Sequence, residues 1–263
     1  LTGHLQPLDA PAGSEPVAFQ FTLFRVGLAV GVPANATSAW RADNLVMGHA
    51  AVTDAAAGRH IFSETLWRAA AGLGGFGAPG DTTLAWCLSP PGTPGTWSIA
   101  LVDGEFTVQA RDDRRGLGFS LRCASPTPPV LQGPGGFSPK DAGGKAGSLY
   151  YSLPRLSVTG ALRRDGRDVA VTGEAWLDRE IFTSTLGAGQ TGWDWVSLQL
   201  ADGRNLMLYR LRAADGSIDF ALGSLADAGG AVTALPRGSW TLEPLRSWTS
   251  AATGATYPVD WRL

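Results

Sequence analysis

The stretch from Glu174 to Glu180 carries the residue types best suited to chemistry. Side chains alternate between the two faces of a strand, so Glu174, Trp176, Asp178 and Glu180 would project from one face. A carboxyl group buried against tryptophan has a raised pKa, whereas a neighbouring arginine lowers it. The stretch is therefore interpreted either as a carboxylate in an aromatic pocket that does acid–base work, or as an ion pair that closes the end of a barrel.

A turn predicted at Asp165-Gly166 would bring an arginine to this stretch. An Asp-Gly pair between two alternating apolar runs is typical of a two-residue β-turn. With that turn, Arg155 would lie opposite Trp176 and diagonal to Asp178. We predict that Arg155 packs against Trp176, and that Asp178 faces a partly enclosed cavity beside Trp176 with Glu180 nearby.

The hairpin from Trp193 to Arg212 holds a second group of candidate side chains. Asp202-Gly203 predicts a two-residue turn, which would place Trp195 opposite Arg210 in a cation–π contact. We expect both faces to be covered, because a solvated face would not ordinarily carry two tryptophans. This register puts Asp194, Val196, Leu198, Leu200, Met207, Tyr209 and Leu211 on one face, and Trp193, Trp195, Ser197, Gln199, Leu206, Leu208, Arg210 and Arg212 on the other.

The histidines give little support for a metal site. His4, His49 and His60 have neither a partner at helical i, i+4 spacing nor a Cys-x-x-Cys companion, so no metal is predicted. His49 lies in an irregular, loop-like stretch between Trp40 and Asp54. It is interpreted either as a structural histidine or, with Trp40, as part of a ligand site.

Motifs for nucleophiles and cofactors are lacking in the sequence. No Gly-x-Ser-x-Gly elbow is present, and the glycines of Gly72–Gly80 are not followed by the Lys-Ser/Thr of a phosphate loop, so no cofactor is predicted. Tyr151 belongs either to an edge strand that ends at Pro154 or to a cavity wall. Cys87 and Cys123 could form one disulfide in an oxidising compartment or stand as two free, half-buried thiols.

Charge and composition exclude several classes of partner. The formal net charge is −2 and Lys and Arg are scattered, so nucleic acid and anionic membrane surfaces are poor partners. No apolar run approaches the roughly 20 residues of a membrane helix, so no transmembrane segment is predicted. The chain begins at Leu1 rather than Met, so we expect a start or signal peptide to have been removed, and the compartment cannot be read from it.

Short strands with turn signals roughly every ten residues predict an all-β protein, an antiparallel barrel or sandwich. A shared pattern of alternating apolar residues before an aromatic-Arg pair, FTLFRV (21–26) and LMLYRL (206–211), indicates two related β-domains. The predicted boundaries are 1–130 for the N-terminal domain, 131–147 for a Pro/Gly-rich linker and 148–263 for the C-terminal domain.

Four long segments carry a resemblance to a known family: YYSLPRLSVTGAL, VTGEAWLDRE, GWDWVSLQLADGRNLMLYRLR and SWTSAATGATYPVDW. They resemble the AttH-like family, which includes carotenoid 1,2-hydratase (hydroxyneurosporene synthase) and fungal pericyclases. The resemblance is dense from Ser148 to Leu263 and thinner before it. It implies two lipocalin-like antiparallel β-domains side by side, with a ligand pocket in or between them. Relatives often carry Trp-Trp-Tyr before Thr2-Gly3, so we expect the first strand of the first domain to be truncated.

One departure from the family pattern bears on function. This chain has Asp178-Arg179-Glu180-Ile181 where many relatives have Asp-His-Glu-Trp, and loss of that His weakens the carry-over of hydratase activity.

The predicted function is therefore that of a lipocalin-like protein that binds a small apolar, isoprenoid- or lipid-like ligand. The alternative is a carotenoid 1,2-hydratase-type lyase or a pericyclase acting on an apolar polyene. The resemblance slightly favours a periplasmic or secreted protein. The candidate catalytic residues are Asp178, Glu180 and Tyr209, and the candidate ligand-binding residues are Trp176, Trp193, Asp194, Trp195, Arg155, Tyr151, Arg210, His49 and Trp40.

Overall fold

A computed structural model describes residues 1–28, 37–141, 143–144, 146–182, 186–187 and 189–263. Its regular structure is almost entirely β, which confirms the predicted fold class. The strands in chain order are β1 Thr2–Pro7, β2 Val17–Gly27, β3 Asn44–Asp54, β4 Arg59–Arg68, β5 Gly74–Phe76, β6 Thr83–Leu88, β7 Thr96–Val102, β8 Glu105–Asp112, β9 Leu117–Ala124, β10 Val130–Leu131, β11 Phe137–Pro139, β12 Gly147–Arg164, β13 Arg167–Phe182, β14 Gln190–Gln199, β15 Asn205–Ala213, β16 Ile218–Ala226, β17 Val232–Pro236, β18 Glu243–Thr249 and β19 Thr256–Arg262. A short 3₁₀ turn covers Pro134–Gly136.

The chain forms two compact units whose limits differ from the predicted domains. Unit 1 contains residues 1–128 and 153–178, and unit 2 contains residues 129–152 and 179–263. Residues 153–178, predicted to belong to the C-terminal domain, therefore lie in unit 1. Most of the predicted linker 131–147 lies within unit 2 and includes β11, whereas residues 142 and 145 are outside the described part.

Unit 1 is a nearly closed antiparallel barrel. Its strands follow the order β4-β3-β2-β1-β13-β12-β9-β8-β7-β6-β5. Strands β3 and β4 at one end of this order contact β5 and β6 at the other, so the sheet curls back on itself. Because side chains alternate along each strand, every second residue points inward and contributes to a single core.

Aromatic side chains fill the inside of this barrel. Phe21 lies 5.9 Å from Phe119 and 6.2 Å from Trp97 between ring centroids, and Phe19 lies 5.7 Å from Phe119. All four are at most 4% exposed. The Trp97 indole N–H donates a 2.9 Å hydrogen bond to the carbonyl of Arg111, which satisfies its one polar atom. The interior of unit 1 is therefore a packed core.

Both cysteines are buried and free. Burial raises the pKa of Cys87 to about 12, and it does the same for Cys123. Of the two predicted states of the cysteines, a disulfide or two free thiols, the structure has two free thiols. Both are buried rather than half-buried. Among the described residues, no helix is long and apolar enough to cross a membrane.

Unit 2 is built on a four-stranded antiparallel sheet in the order β14-β15-β16-β17. β10 and β11 pair with the first residues of β12, and β18 pairs with β19 as a separate hairpin.

The turn between β14 and β15 corrects the predicted register. The Leu200 amide donates to the carbonyl of Arg204, and Gly203 lies at φ 89°. The loop therefore has three residues, 201–203, with glycine in the left-handed position that such loops require. In contrast, Asp165-Gly166 forms the predicted two-residue turn, with both residues at positive φ.

The extra loop residue shifts every pair of the hairpin by one position. Trp195 pairs with Tyr209, and Asp194 pairs with Arg210. The predicted Trp195–Arg210 stack is wrong, because a shift of one residue moves a side chain to the opposite face. The predicted sharing of one face by Asp194 and Tyr209 is wrong for the same reason.

Candidate functional site

A group of aromatic and charged side chains in unit 2, here called the Lys140 cluster, contains Lys140, Tyr150, Glu180, Trp195 and Tyr209. β11 and β12 position its first members. Pairing of Ser138 with Ser148, and of Phe137 with Leu149, places both serines on the buried face and both apolar residues on the exposed face. By strand alternation Tyr150 shares the buried face with Ser148.

Tyr209 is held by the segment that precedes Lys140. Its hydroxyl donates to the carbonyl of Pro139 and lies 3.1 Å from the hydroxyl of Ser138, which donates in turn. The ring is 4% exposed, and burial raises the pKa of Tyr209 to about 12. The bond from Ser138 acts against this rise and the charge of Glu180 adds to it. The phenol is therefore neutral at ordinary pH, and its hydroxyl proton is committed to the backbone carbonyl of Pro139.

Lys140 sits between a carboxylate and two aromatic rings. Its Nζ lies 2.8 Å from Glu180 Oε1, 4.4 Å from the ring centroid of Tyr209 and 5.7 Å from that of Tyr150. The Ser148 hydroxyl donates a 2.6 Å hydrogen bond to the same Glu180 oxygen. The side chains of Lys140 and Glu180 are only 16% and 30% exposed.

The indole of Trp195 completes the cluster. Its Nε1 donates a 3.3 Å hydrogen bond to the hydroxyl of Tyr150. Trp195 is 36% exposed and Trp193, two residues earlier on the same face of β14, is 55% exposed. The expectation that both faces of this hairpin are covered is therefore wrong at these two indoles. The partly exposed indoles of Trp193 and Trp195 therefore lie next to the cluster's partly buried ion pair of Lys140 and Glu180.

Asp194 and Arg210 form a different group on the other face of the same sheet. Arg210 Nε lies 2.7 Å from Asp194 Oδ2, and Arg212 binds the second oxygen of that carboxylate. Arg210 also donates to the carbonyl of Leu242 and lies 5.4 Å from the ring centroid of Trp261. With Asp194 and Arg210 only 10% and 14% exposed, the group fastens the C-terminal segments to the sheet.

In unit 1, Asp178 lies beside Trp176 as predicted from strand alternation. The indole Nε1 of Trp176 donates a 2.8 Å hydrogen bond to Asp178 Oδ1, and Trp176 is 4% exposed. Arg155 pairs with Glu174, with Nη1 3.1 Å from each carboxylate oxygen. The contact of Arg155 with Trp176 stays a prediction.

The remaining candidate residues, His49, Trp40 and Tyr151, are not members of the Lys140 cluster. His49 belongs to β3 rather than to a loop, and its ring centroid lies 5.2 Å from that of Phe24 and 5.5 Å from that of Phe62. Trp40 is 62% exposed, and Tyr151 is half-buried on β12. Within the described ranges, no three His, Cys, Asp or Glu side chains are grouped so that they could hold a metal ion.

Sequence reasoning missed Lys140 and Tyr150. Lys140 follows β11 inside the predicted linker, where a lysine in a Pro/Gly-rich stretch gives no signal of a site. Tyr150 stands next to Tyr151 in the sequence, and only the pairing of β11 with β12 shows which of the two is buried.

Comparison with known proteins places this chain in a family. None of the curated proteins matches it. The crystal structure of kievitone hydratase from Nectria haematococca matches 99% of this chain and 70% of its own, with a TM-score of 0.68 and 14% identity, which shows a shared fold. The crystal structure of a proposed AttH from Nitrosomonas europaea matches 99% of this chain and 74% of its own, with a TM-score of 0.80 and 32% identity. The AttH-like family model matches residues 1–263, and the chain therefore belongs to the AttH-like family, with its lipocalin-like fold.

Proposed function

We propose that the protein binds a small apolar, isoprenoid- or lipid-like ligand at the Lys140 cluster of unit 2. The observation that carries this proposal is the combination of partly exposed Trp193 and Trp195 with the ion pair of Lys140 and Glu180. Sites for small molecules are mostly apolar, with a few polar groups that fix orientation. Contiguous apolar patches on a protein surface often mark sites where a ligand or another molecule binds.

The packing of unit 1 supports this location. The aromatic rings of Phe19, Phe21, Trp97 and Phe119 occupy the interior of its barrel, the place where many lipocalin-like proteins hold a ligand. A ligand inside that barrel would have to displace a close-packed core. A ligand at the Lys140 cluster would instead cover the exposed parts of Trp193 and Trp195.

The two indoles alone would provide weak binding. A tryptophan has an area of roughly 250 Å², so covering the exposed fractions of Trp193 and Trp195 would stabilise a complex by on the order of 5 kcal/mol before association costs. Without those costs this energy would correspond to a dissociation constant of about 0.1–1 mM, and the costs of association weaken the binding further. Micromolar binding would therefore need further apolar contacts and the polar groups of the cluster.

The experiment that tests binding at this site is a titration with farnesol, followed by native mass spectrometry. We expect one farnesol per chain, and at least about tenfold weaker binding to Trp195→Ala, since a buried aromatic contact contributes about 1.5–3 kcal/mol. Trp248→Ala is the matched control, because Trp248 is 55% exposed and belongs to the separate β18–β19 hairpin. Equal loss in both variants, or no saturable binding, would contradict the proposal.

A second candidate function is hydration of an apolar alkene, favoured by the contact between Trp176 and Asp178. An acidic Asp178 would add its proton to one alkene carbon, water would bond to the resulting carbocation, and the proton lost from that water would return to the carboxylate. The hydrogen bond from the indole N–H to Oδ1 fixes the orientation of the Asp178 carboxyl group. The Trp176 ring would stabilise the cation through its π face. The fold shared with kievitone hydratase is consistent with this reaction without assigning it.

Incubation with an acyclic carotenoid distinguishes this candidate from simple binding. Hydration predicts a product 18 mass units heavier, which is the mass of one added water. Asp178→Asn should abolish that product and leave ligand binding nearly intact. If this variant keeps full turnover and only melts earlier, Asp178 is a structural residue and not a catalytic one.

A further inference from the structure

We infer that Lys140 and Glu180 select a ligand that ends in a hydroxyl group, in preference to one that ends in a carboxylate or in a plain hydrocarbon. This inference rests on the proposed function, since it names the polar end of the ligand that the Lys140 cluster would hold.

The ammonium group of Lys140 has unused donor capacity. It carries three N–H donors. In the described part of the chain, Nζ has one oxygen partner, Glu180 Oε1, and its remaining neighbours are the ring faces of Tyr150 and Tyr209. A ring face attracts a cation without using its N–H donors as an oxygen acceptor would. An oxygen atom of a ligand could therefore join the ammonium without displacing Glu180.

The carboxylate of Glu180 has unused acceptor capacity. Oε1 accepts from both Lys140 and Ser148, whereas Oε2 has no hydrogen-bond partner among the described residues. An ionised carboxylate accepts about four hydrogen bonds in total. A group with this capacity, 30% exposed beside two buried tyrosines, offers a place for a donor from outside the protein.

A hydroxyl group fits both capacities at once. Its oxygen accepts from Lys140, and its proton is donated to Glu180 Oε2. A carboxylate would gain from Lys140 but meet repulsion from Glu180, so its net attraction to the neutral pair is small. A hydrocarbon end would remove water from both charged groups and return no hydrogen bond.

The test compares three probes of similar length by isothermal titration calorimetry: farnesol, farnesoic acid and β-farnesene. We expect wild-type protein to bind farnesol about tenfold to a hundredfold more tightly than either of the others, the gain typical of hydrogen bonds to charged groups. Glu180→Gln should remove the preference over farnesoic acid and bring that probe level with or ahead of farnesol, because Lys140 then lacks its negative partner. Lys140→Met removes the donor to the hydroxyl oxygen and leaves Glu180 as acceptor, so it should reduce the preference for farnesol over β-farnesene by about tenfold.

The outcomes separate this inference from the proposed function. Equal affinity for all three probes, or tightest binding of farnesoic acid to wild-type protein, would overturn the hydroxyl preference while leaving ligand binding in place. Absence of binding for every probe would overturn the proposed function itself. Circular dichroism checks that each variant is folded. If Lys140→Met does not fold, Glu180→Gln, which keeps an oxygen acceptor for Ser148, decides the question alone.

Discussion

Replacing Tyr209 with phenylalanine tests whether its phenol is structural or catalytic. The sequence suggested a catalytic role, whereas the geometry commits the hydroxyl to Ser138 and the carbonyl of Pro139. Tyr209→Phe keeps the ring, so the contact of Lys140 with the ring face is retained. The structure therefore predicts that this variant loses stability and keeps ligand binding.

The size of the loss follows from the two hydrogen bonds. Ser138 is 0% exposed and Tyr209 is 4% exposed, so water cannot replace the missing hydroxyl without rearrangement. At roughly 1 kcal/mol for each bond, or more where a partner is left unsatisfied, the variant should be less stable by about 2–3 kcal/mol. For a protein of this size each kcal/mol lowers Tm by roughly 2–4 °C, so the expected decrease is about 4–12 °C.

The assay is differential scanning calorimetry on wild type and variant, combined with farnesol titration at a temperature where both are folded. Tyr257→Phe is the control. Tyr257 is 51% exposed and stacks on Trp248, so removal of its hydroxyl should change Tm by no more than about 2 °C. A Tyr209→Phe variant with wild-type Tm but no binding or turnover would refute the structural assignment and restore the catalytic one.

Two further predictions concern charge and pH. Asp194→Asn should destabilise the protein by about 3–5 kcal/mol in urea denaturation, because it leaves the mostly buried Arg210 without its partner. Glu243→Gln breaks an exposed pair and should cost no more than about 1 kcal/mol; similar losses in both would show that burial does not decide the effect. The raised pKa of the buried thiols predicts how the free energy of unfolding depends on pH. Below about pH 9 the thiols are protonated in both the folded and the unfolded state, and stability is at its maximum. Between about pH 9 and 12 only the unfolded state loses these protons, so stability falls. The Cys87→Ala/Cys123→Ala double variant should lose less stability than wild type over that range, and an identical pH profile would contradict the assignment.

The all-β fold could be predicted because strand and turn signals are local. Alternating side chains, with turn residues at regular intervals, specify antiparallel strands without knowledge of their partners. The two-residue turn at Asp165-Gly166 was predicted correctly on the same basis. The limits of the units could not be predicted in this way, because β12 and β13 contribute residues to both.

The predicted register of the β14–β15 hairpin is wrong because the Asp-Gly signal fits two loop lengths. Asp202-Gly203 is compatible with a two-residue turn and with a three-residue loop that ends in a left-handed glycine. The Asp202 carboxylate accepts hydrogen bonds from the backbone and side chain of Arg204, which stabilises the longer loop. This contact depends on side-chain geometry that the Asp-Gly signal does not contain.

Part of the candidate site was predictable and part was not. Trp195, Tyr209 and Glu180 stand on strands with clear patterns and are candidates from the sequence, although the predicted register is wrong for Trp195 and Tyr209. Lys140 reaches the cluster only through the pairing of β11 with β12. Such a contact, formed by a short strand in a Pro/Gly-rich stretch, depends on tertiary structure rather than on local sequence.

The most direct test of the central claim is photo-crosslinking with a farnesol analogue that carries a diazirine on its apolar chain. After irradiation, peptide mass spectrometry locates the labelled residues, and excess farnesol serves as competitor. Ligand binding at the Lys140 cluster predicts that excess farnesol suppresses labelling at Trp193, Trp195 and residues 137–141 and 146–151. Labelling that farnesol does not suppress, or suppressible labelling confined to the residues of unit 1, would contradict it.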